Sequence, residues 1–543
     1  MRREVREKAP RVRIKGIAIF LLSALVAVMF APPFQTYASD KINFNPSVKQ
    51  LPSNEEIFGW IKDLCNFGYR RPGTEADLKA AQYIMEKFKE FGLENVHLEP
   101  IDMPLWTAEK WSLTVNGQEI PCFYISHSYW TKEYEGFSAG PAGITAEMVY
   151  VGKGSEKDFR KVDVKGKIVL SDVSFFTWYW SDSKKVSYFT YDPDNTIPKN
   201  WSQHNPYVSD NFPNNLYRAA KHGAVGFVGI LTDYVDRNTY YNEVYDEKPC
   251  LMQIPGLWLS KSDGARLKSL FKKGSTIKAT LVLDGKIVPA VANNVIGFLK
   301  GKTDDIIMVH SHHDAPWSSA VEDASGVSEV LALAKYFGRI PAEKREKTLM
   351  FVTTDTHFSM YQAHLDLIKK INEKKMNVIV DICIEHIGKE IVEREGKIVE
   401  TGFVEPRLMF VSENPYLLSF TKQAVVKNRL GRTLFMPTYS PLGVPTDAGD
   451  FNRAGIPIIS YISPPIYIYD PIDTPDMVAV DQLNPIATAF ADIIESLDPL
   501  PSEVVNKRSW IVKNRLHFYK GVLLYIGGRP SSAFQLLYYA FAG

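Results

Sequence analysis

Three histidines and three acidic residues fall within seventeen positions in the stretch HSHHDAPWSSAVEDASG, His310 to Gly326. Imidazole and carboxylate are ligands for zinc, iron or manganese. A divalent metal held by them can make water a useful nucleophile near neutral pH. Two further polar groups follow, Asp355 to His357 and then Glu385 with His386, and six of the chain's eleven histidines lie between His310 and His386. A lone histidine at a strand end is ordinarily a satisfied core or surface residue. Three polar groups meeting at one place are harder to explain by packing.

The neighbouring sequence says how they would meet. Each group closes an apolar run: DIIMVHSHHD, TLMFVTTDTHF and NVIVDICIEHIG. Helical patterns such as SGVSEVLALAKYFGRI intervene, and RLMFVSEN and IPIISYIS continue the series. Apolar strands alternating with helices imply a largely parallel sheet covered on both faces. In such sheets ligands sit outside the carboxyl ends of the strands, where these polar groups lie. Upstream, Ala81, Ile84, Phe88 and Phe91 recur at helical spacing before Gly92, which predicts a helix, its stop and a following strand. From Lys165 the pattern changes to short strands with glycine breaks, GKIVLSDV, HGAVGFVGIL and IPGLWLS, which predicts an inserted domain over 136–288.

The remaining segments divide as 39–135 and 289–500 for the two parts of the main domain and 501–543 for a helical extension. Residues 1–38 run from basic to apolar to small residues, the order of a secretory signal; an uncleaved membrane anchor is the alternative. Their removal takes away seven Lys/Arg and two Asp/Glu, moving the formal charge from +1 to −4. Nothing in this balance points to nucleic acid. Cys65, Cys122, Cys250 and Cys383 are too scattered for a disulfide framework or a zinc knot. A Cys122–Cys250 bridge is one option, and isolated core thiols are the simpler one. The aromatic segment from Ser174 to Asp194 suits either a recognition wall or packing of the insert on the core. Asn200 begins a glycosylation sequon, NWS, and the mixture of basic and aromatic residues after Lys507 suits a membrane surface or a docked helix.

Taken in order, these motifs resemble the co-catalytic zinc peptidases typified by bacterial leucyl aminopeptidases, glutamate carboxypeptidase and the non-catalytic transferrin receptor. The resemblance rests on RRPGTEAD, HHD, EDASG, TDAGDF and YDPIDTPDM, and VDVKGKIVLSDV with AAKHGAVGFV is similar to a protease-associated domain. It implies a three-layer α/β sandwich with a mostly parallel mixed sheet and a β-rich insert. It also implies that His312 is the first metal-binding histidine, with Asp314 orienting its ring. The bridging aspartate falls on Glu322, beside Asp323. The tandem glutamates, base then ligand, fall on Thr356 and His357. The later metal-binding aspartate falls on Glu385 and the last histidine on Tyr469.

One metal site therefore survives in the alignment, from His312, Glu322 and Glu385, with His357 a possible fourth ligand. The second would need Tyr469, whose neutral phenol is a poor replacement for imidazole. Asp447 is placed as an outer carboxylate, and Tyr469 and His386 as walls of the substrate cleft. Thr356 cannot accept the proton that the family's glutamate takes, so Asp355 or His357 would have to act as base. Asp355 can equally cap a helix starting near His357. The expectation is an exported hydrolase with one divalent metal, zinc before iron or manganese, acting on an amide bond of a peptide or small molecule. Its rival is a binding protein on a peptidase scaffold.

Overall fold

The computed structural model describes residues 50–131, 136–197, 202–243, 251–271, 276–394, 397–438 and 444–506. The expected signal at 1–38, Cys250, the Asn200 sequon and the extension beyond 506 lie outside the described residues. Cys65, Cys122 and Cys383 are free thiols.

The helix predicted by the Ala81, Ile84 and Phe88 spacing is α1, Glu75–Glu90, capped by Thr74. Its apolar stripe is fully buried, and Gly92 ends it at φ +83°. The expected strand follows as β1, Glu94–Val115, paired antiparallel along the long strand β2, Ile277–Leu299. Beyond β2 the sheet continues through β3 (Ile306–His312), β4 (Thr348–Thr354), β5 (Val378–Ile384), β6 (Arg407–Val411), β7 (Thr433–Pro437) and β8 (Ile458–Ile462). Their spatial order is β2-β4-β3-β5-β8-β6-β7. The central pairs β4/β3, β3/β5 and β5/β8 are parallel, whereas β2/β4 and β8/β6 are antiparallel. The sheet is thus mixed with a parallel centre, as the apolar runs imply. Every residue of β3, β4 and β5 is buried, because helices cover both faces.

Two crossover helices set the strand ends. Helix α2, Ser325–Gly338, connects β3 to β4, and helix α3, Gln362–Glu373, connects β4 to β5. Gly326 lets α2 start hard against the sheet: a Cβ there would stand 2.2 Å from the Ile384 carbonyl oxygen. A larger residue would push the helix away from the strand end that it serves.

Residues between 144 and 259 contribute short parallel strands, Ile144–Tyr150, Ile168–Val173, Gly226–Leu231 and Gly256–Leu259, which join the same sheet at β2. Phe189–Tyr191 pairs antiparallel with β7 at the far edge. The aromatic segment therefore packs on the core: Trp180 is fully buried. Phe176 and Tyr179 remain exposed. No helix among the described residues is long and apolar enough to cross a membrane.

Candidate metal centre

The three polar groups do meet. β3 ends with His312, the loop before α2 carries Glu322, and the turn after β4 carries His357. One ligand atom from each lies within 4.8 Å of the others. His312 and His357 stack with ring centroids 4.0 Å apart and planes 12° from parallel. Glu322 approaches His312 Nε2 at 3.3 Å and His357 Nε2 at 3.8 Å.

Each residue is held by neighbours from distant parts of the chain. Val321 and Glu322 donate their backbone N–H groups to the Asp473 carboxylate, both at 2.9 Å. Arg70, from the RRPG motif, donates to the carbonyls of His313 at 2.9 Å and Ser319 at 3.1 Å, fixing the loop between β3 and Glu322. Asp323 accepts from the N–H groups of Gly326 and His386, at 3.1 and 3.0 Å, which pins the start of α2 to the end of β5. Its role is to brace the loop, as its placement beside Glu322 suggests.

Asp314 lies beside His312: its carbonyl oxygen is 3.1 Å and its carboxylate 3.4 Å from His312 Nδ1, and it also accepts the Phe358 N–H. Asp447 accepts from His357 Nδ1 at 2.8 Å. A carboxylate on Nδ1 orients each ring with Nε2 toward the centre, as outer carboxylates do for metal-bound histidines.

Other expected members take different positions. Glu385 accepts from Asp447 N–H at 3.2 Å and from Cys383 Sγ at 2.9 Å, and does not join the three-residue group. His386, the next residue, does reach Glu322, with Nε2 2.5 Å from Oε2 and Nδ1 2.8 Å from the Tyr207 hydroxyl. Asp355 is occupied by the N–H groups of Asn293 and Thr356, at 2.8 and 2.6 Å, and stands with Asp77 and His313. The helix it was expected to cap begins at Gln362, five residues beyond His357. Thr356 sits at φ +62° and accepts the Ala363 N–H through Oγ1. Tyr469 is fully buried beside Tyr207 and Phe358, its hydroxyl without a hydrogen bond.

One carboxylate had no signal in the sequence. Glu243, from the inserted segment, stands 3.0 Å from His357 Nε2. Between it and the histidines of β3 lie the strand Gly256–Leu259, the helix Lys261–Phe271 and β2, and nothing in its own surroundings is periodic or motif-like.

The electrostatics favour positive charge at the centre. Burial would lower the His312 and His357 pKa values, but the Asp447 carboxylate, with Asp314 and Glu322 at His312 and Glu243 at His357, holds both well above the ordinary imidazole range. Burial would raise Glu322, yet His386 and His312 keep it far below the usual carboxylate range. Glu385 is raised to about 7 by burial and by the Asp447 charge. His312 Nε2 and both Glu322 oxygens are buried without an aligned hydrogen bond, although they approach closely. The carboxylates that favour protons on the two rings would equally favour a divalent cation in place of those protons, and two imidazoles with one carboxylate suit zinc.

The centre is enclosed: His312 and Glu322 are fully buried and His357 is 5% exposed. A cavity of about 230 Å³ lies elsewhere, bordered by Phe175, Gln203, Tyr234 and Ile391.

The fold is a mixed α/β sheet that carries a buried cluster of metal-ligating side chains, and comparison with known proteins says what the chain is similar to. Residues 294–383 match Peptidase family M28. Carboxypeptidase Q of Homo sapiens is 24% identical over 332 residues, covering 58% of this chain. The match spans 61% of that relative's length. The Mus musculus protein is 23% identical over 64% of this chain. Among solved structures, an aminopeptidase from Aneurinibacillus sp. strain AM-1 superposes with TM-score 0.57 at 21% identity, over 85% of this chain and 97% of its own. A zinc aminopeptidase from Bacillus subtilis gives 0.58 at 18%, over 83% and 98%. The resemblance to the zinc peptidases is thereby shown, and the mixed α/β sheet is the one that the motifs implied.

Proposed function

We propose that the protein is a metal-dependent hydrolase of the M28 type, acting on an amide bond of a peptide or related small molecule. The observation that carries this reading is the convergence of His312, Glu322 and His357, in which His312 Nε2 and both Glu322 oxygens are buried without a hydrogen bond. Zinc is the metal that the donor set favours, and one such ion per centre accords with the loss of the last histidine at Tyr469. When bound, the metal would activate water and polarise the scissile carbonyl. Asp447 and Asp314 would keep the two rings oriented. His386, protonated against Glu322, would hold that carboxylate in place, and Glu385 would brace the Asp447 turn.

Proton transfer needs a carboxylate that Thr356 does not provide and that Asp355 has committed to backbone amides. Glu243 stands nearest, which supports a reading in which the insert supplies the base. Residues 136–288 would then be a protease-associated-type domain that completes the site. The basic-apolar-small order of residues 1–38 supports export. The decisive experiment is elemental analysis of the purified chain, joined to an assay on aminoacyl and peptidyl amides. Metal-dependent turnover supports the reading; a metal-free protein under zinc-replete conditions overturns it.

A second reading is favoured by the enclosure of the centre. A binding protein on this scaffold would keep the metal or its protons for stability and need no entry path. Bound zinc without turnover on any amide substrate would select it.

A further inference from the structure

We infer that the chain carries a second metal site, made by His310, His364 and Asp447, that holds a small divalent cation of the zinc type in a closed, structural role. The inference does not depend on the reading of the neighbouring centre. His310 lies on β3 two residues before His312, hence on the same face and about 7 Å deeper in the sheet. His364 comes from the first turn of α3. Asp447 immediately precedes the short helix Ala448–Arg453. One ligand atom from each lies within 4.8 Å of the others, and all three residues are at most 1% exposed.

The arrangement around the trio is that of a ligand set. His310 Nδ1 is 2.6 Å from the Asp381 carboxylate, so its Nε2 is turned inward, and that buried Nε2 has no hydrogen-bond partner. His364 Nδ1 lies 3.6 Å from the Asp450 carboxylate, and its Nε2 is 3.3 Å from Asp447 Oδ2. Asp447 Oδ2 is likewise buried without a hydrogen bond, while Oδ1 of the same group is occupied by His357. His310 backed by the Asp381 carboxylate, His364 with Asp450 nearby but not hydrogen-bonded to its Nδ1, and one free Asp447 carboxylate oxygen thus converge on one point. Outer carboxylates of this kind fix the tautomer and raise the basicity of metal-bound imidazole. Thr354 Oγ1, 3.1 Å from His364 Nε2, is the competing partner of that nitrogen and lies within reach as a weak fourth donor. Phe451 packs against both rings, with centroids 5.1 and 5.7 Å away, and closes the site to solvent. A cation here would tie β3, α3 and the Asp447 turn together, and would stiffen the carboxylate that orients His357.

The test uses the full chain, stripped by chelator and then equilibrated with zinc chloride, with bound zinc measured by elemental analysis and folding by circular dichroism. Wild type should hold two zinc ions per chain, His310→Gln and His364→Gln one each. His312→Gln, which removes the neighbouring centre, should also retain one, so the answer survives if a variant of the deeper site does not fold. Cobalt substitution should show a visible absorption band in His312→Gln. The proposal is overturned if His310→Gln and His364→Gln bind as much zinc as wild type, or if His312→Gln binds none. That last result leaves the neighbouring centre standing. Loss of zinc only in the His310 and His364 variants does the reverse.

Discussion

At the scale of single residues, the candidate centre depends on carboxylates that bind backbone rather than metal. Asp473 receives two buried N–H groups from the loop that presents Glu322. Asp473→Ala strands both, at about 1–3 kcal/mol for each unsatisfied group. The variant should melt well below the parent and lose zinc, as thermal unfolding and elemental analysis would show. Glu243 is a different kind of residue, because its removal should spare the fold. Glu243→Gln keeps the shape and a hydrogen-bonding group beside His357, so metal content should stay unchanged. If Glu243 is the base, amide turnover should fall by about 10²–10⁴-fold. Unchanged turnover would exclude it. Thr356 is a poor place to restore a base. Its left-handed backbone and its bond to Ala363 N–H mean that a glutamate there must first displace buried neighbours.

At the scale of elements, α2 is the most constrained. Gly326→Ala sets a methyl group 2.2 Å from the Ile384 carbonyl oxygen, and the helix must retreat. Overpacking of this kind costs about 1–3 kcal/mol, readable as a lower denaturant midpoint. One turn along, Glu329 is fully buried with neither oxygen hydrogen-bonded, and burial holds its pKa well above the usual value. The native state therefore keeps a proton that the unfolded chain releases above its ordinary carboxyl pKa. Stability must fall as pH rises from there toward the native pKa, by up to about 1.4 kcal/mol per pH unit. Glu329→Gln should remove that slope, so its melting advantage over the parent should widen from pH 5 to pH 9.

Element identity was legible because β3, β4 and β5 are continuous apolar runs that end in polar residues, and because α1 carries a clean helical stripe. His312 and His357 were legible for the same reason, as polar ends of adjacent parallel strands, whereas Glu322 was marked by the resemblance of EDASG to the family's motif. Glu385 and His386 show the limit. They are neighbours on one strand end, and which of them reaches Glu322 is decided by the Asp447 and Cys383 contacts, set by segments remote in sequence. Glu243 was invisible as a site residue because a loop's position over a sheet depends on the whole packing, which no local pattern encodes, and Asp473 was visible only as a member of YDPIDTPDM, without its role.

At the scale of the whole molecule, residues 144–259 join the main sheet twice, through β2 and through the pairing of Phe189–Tyr191 with β7. Limited proteolysis should therefore nick exposed aromatic positions such as Tyr179 without releasing a fragment under native conditions. Separation of two folded halves on a sizing column would contradict the double attachment. Export is tested by N-terminal sequencing of protein from the native cell, which should begin after residue 38.

The latch between Glu322 and Asp473 also bears on the order of synthesis. A ribosome delivers Arg70 and His312 early, but the residue that holds Glu322 in place is the 473rd of 543. Until that segment emerges, the nascent chain has its strands and helices but an unfastened ligand loop. A metal held by Glu322 would therefore have to wait for that segment, and chains truncated before Asp473 should lack the zinc that depends on His312.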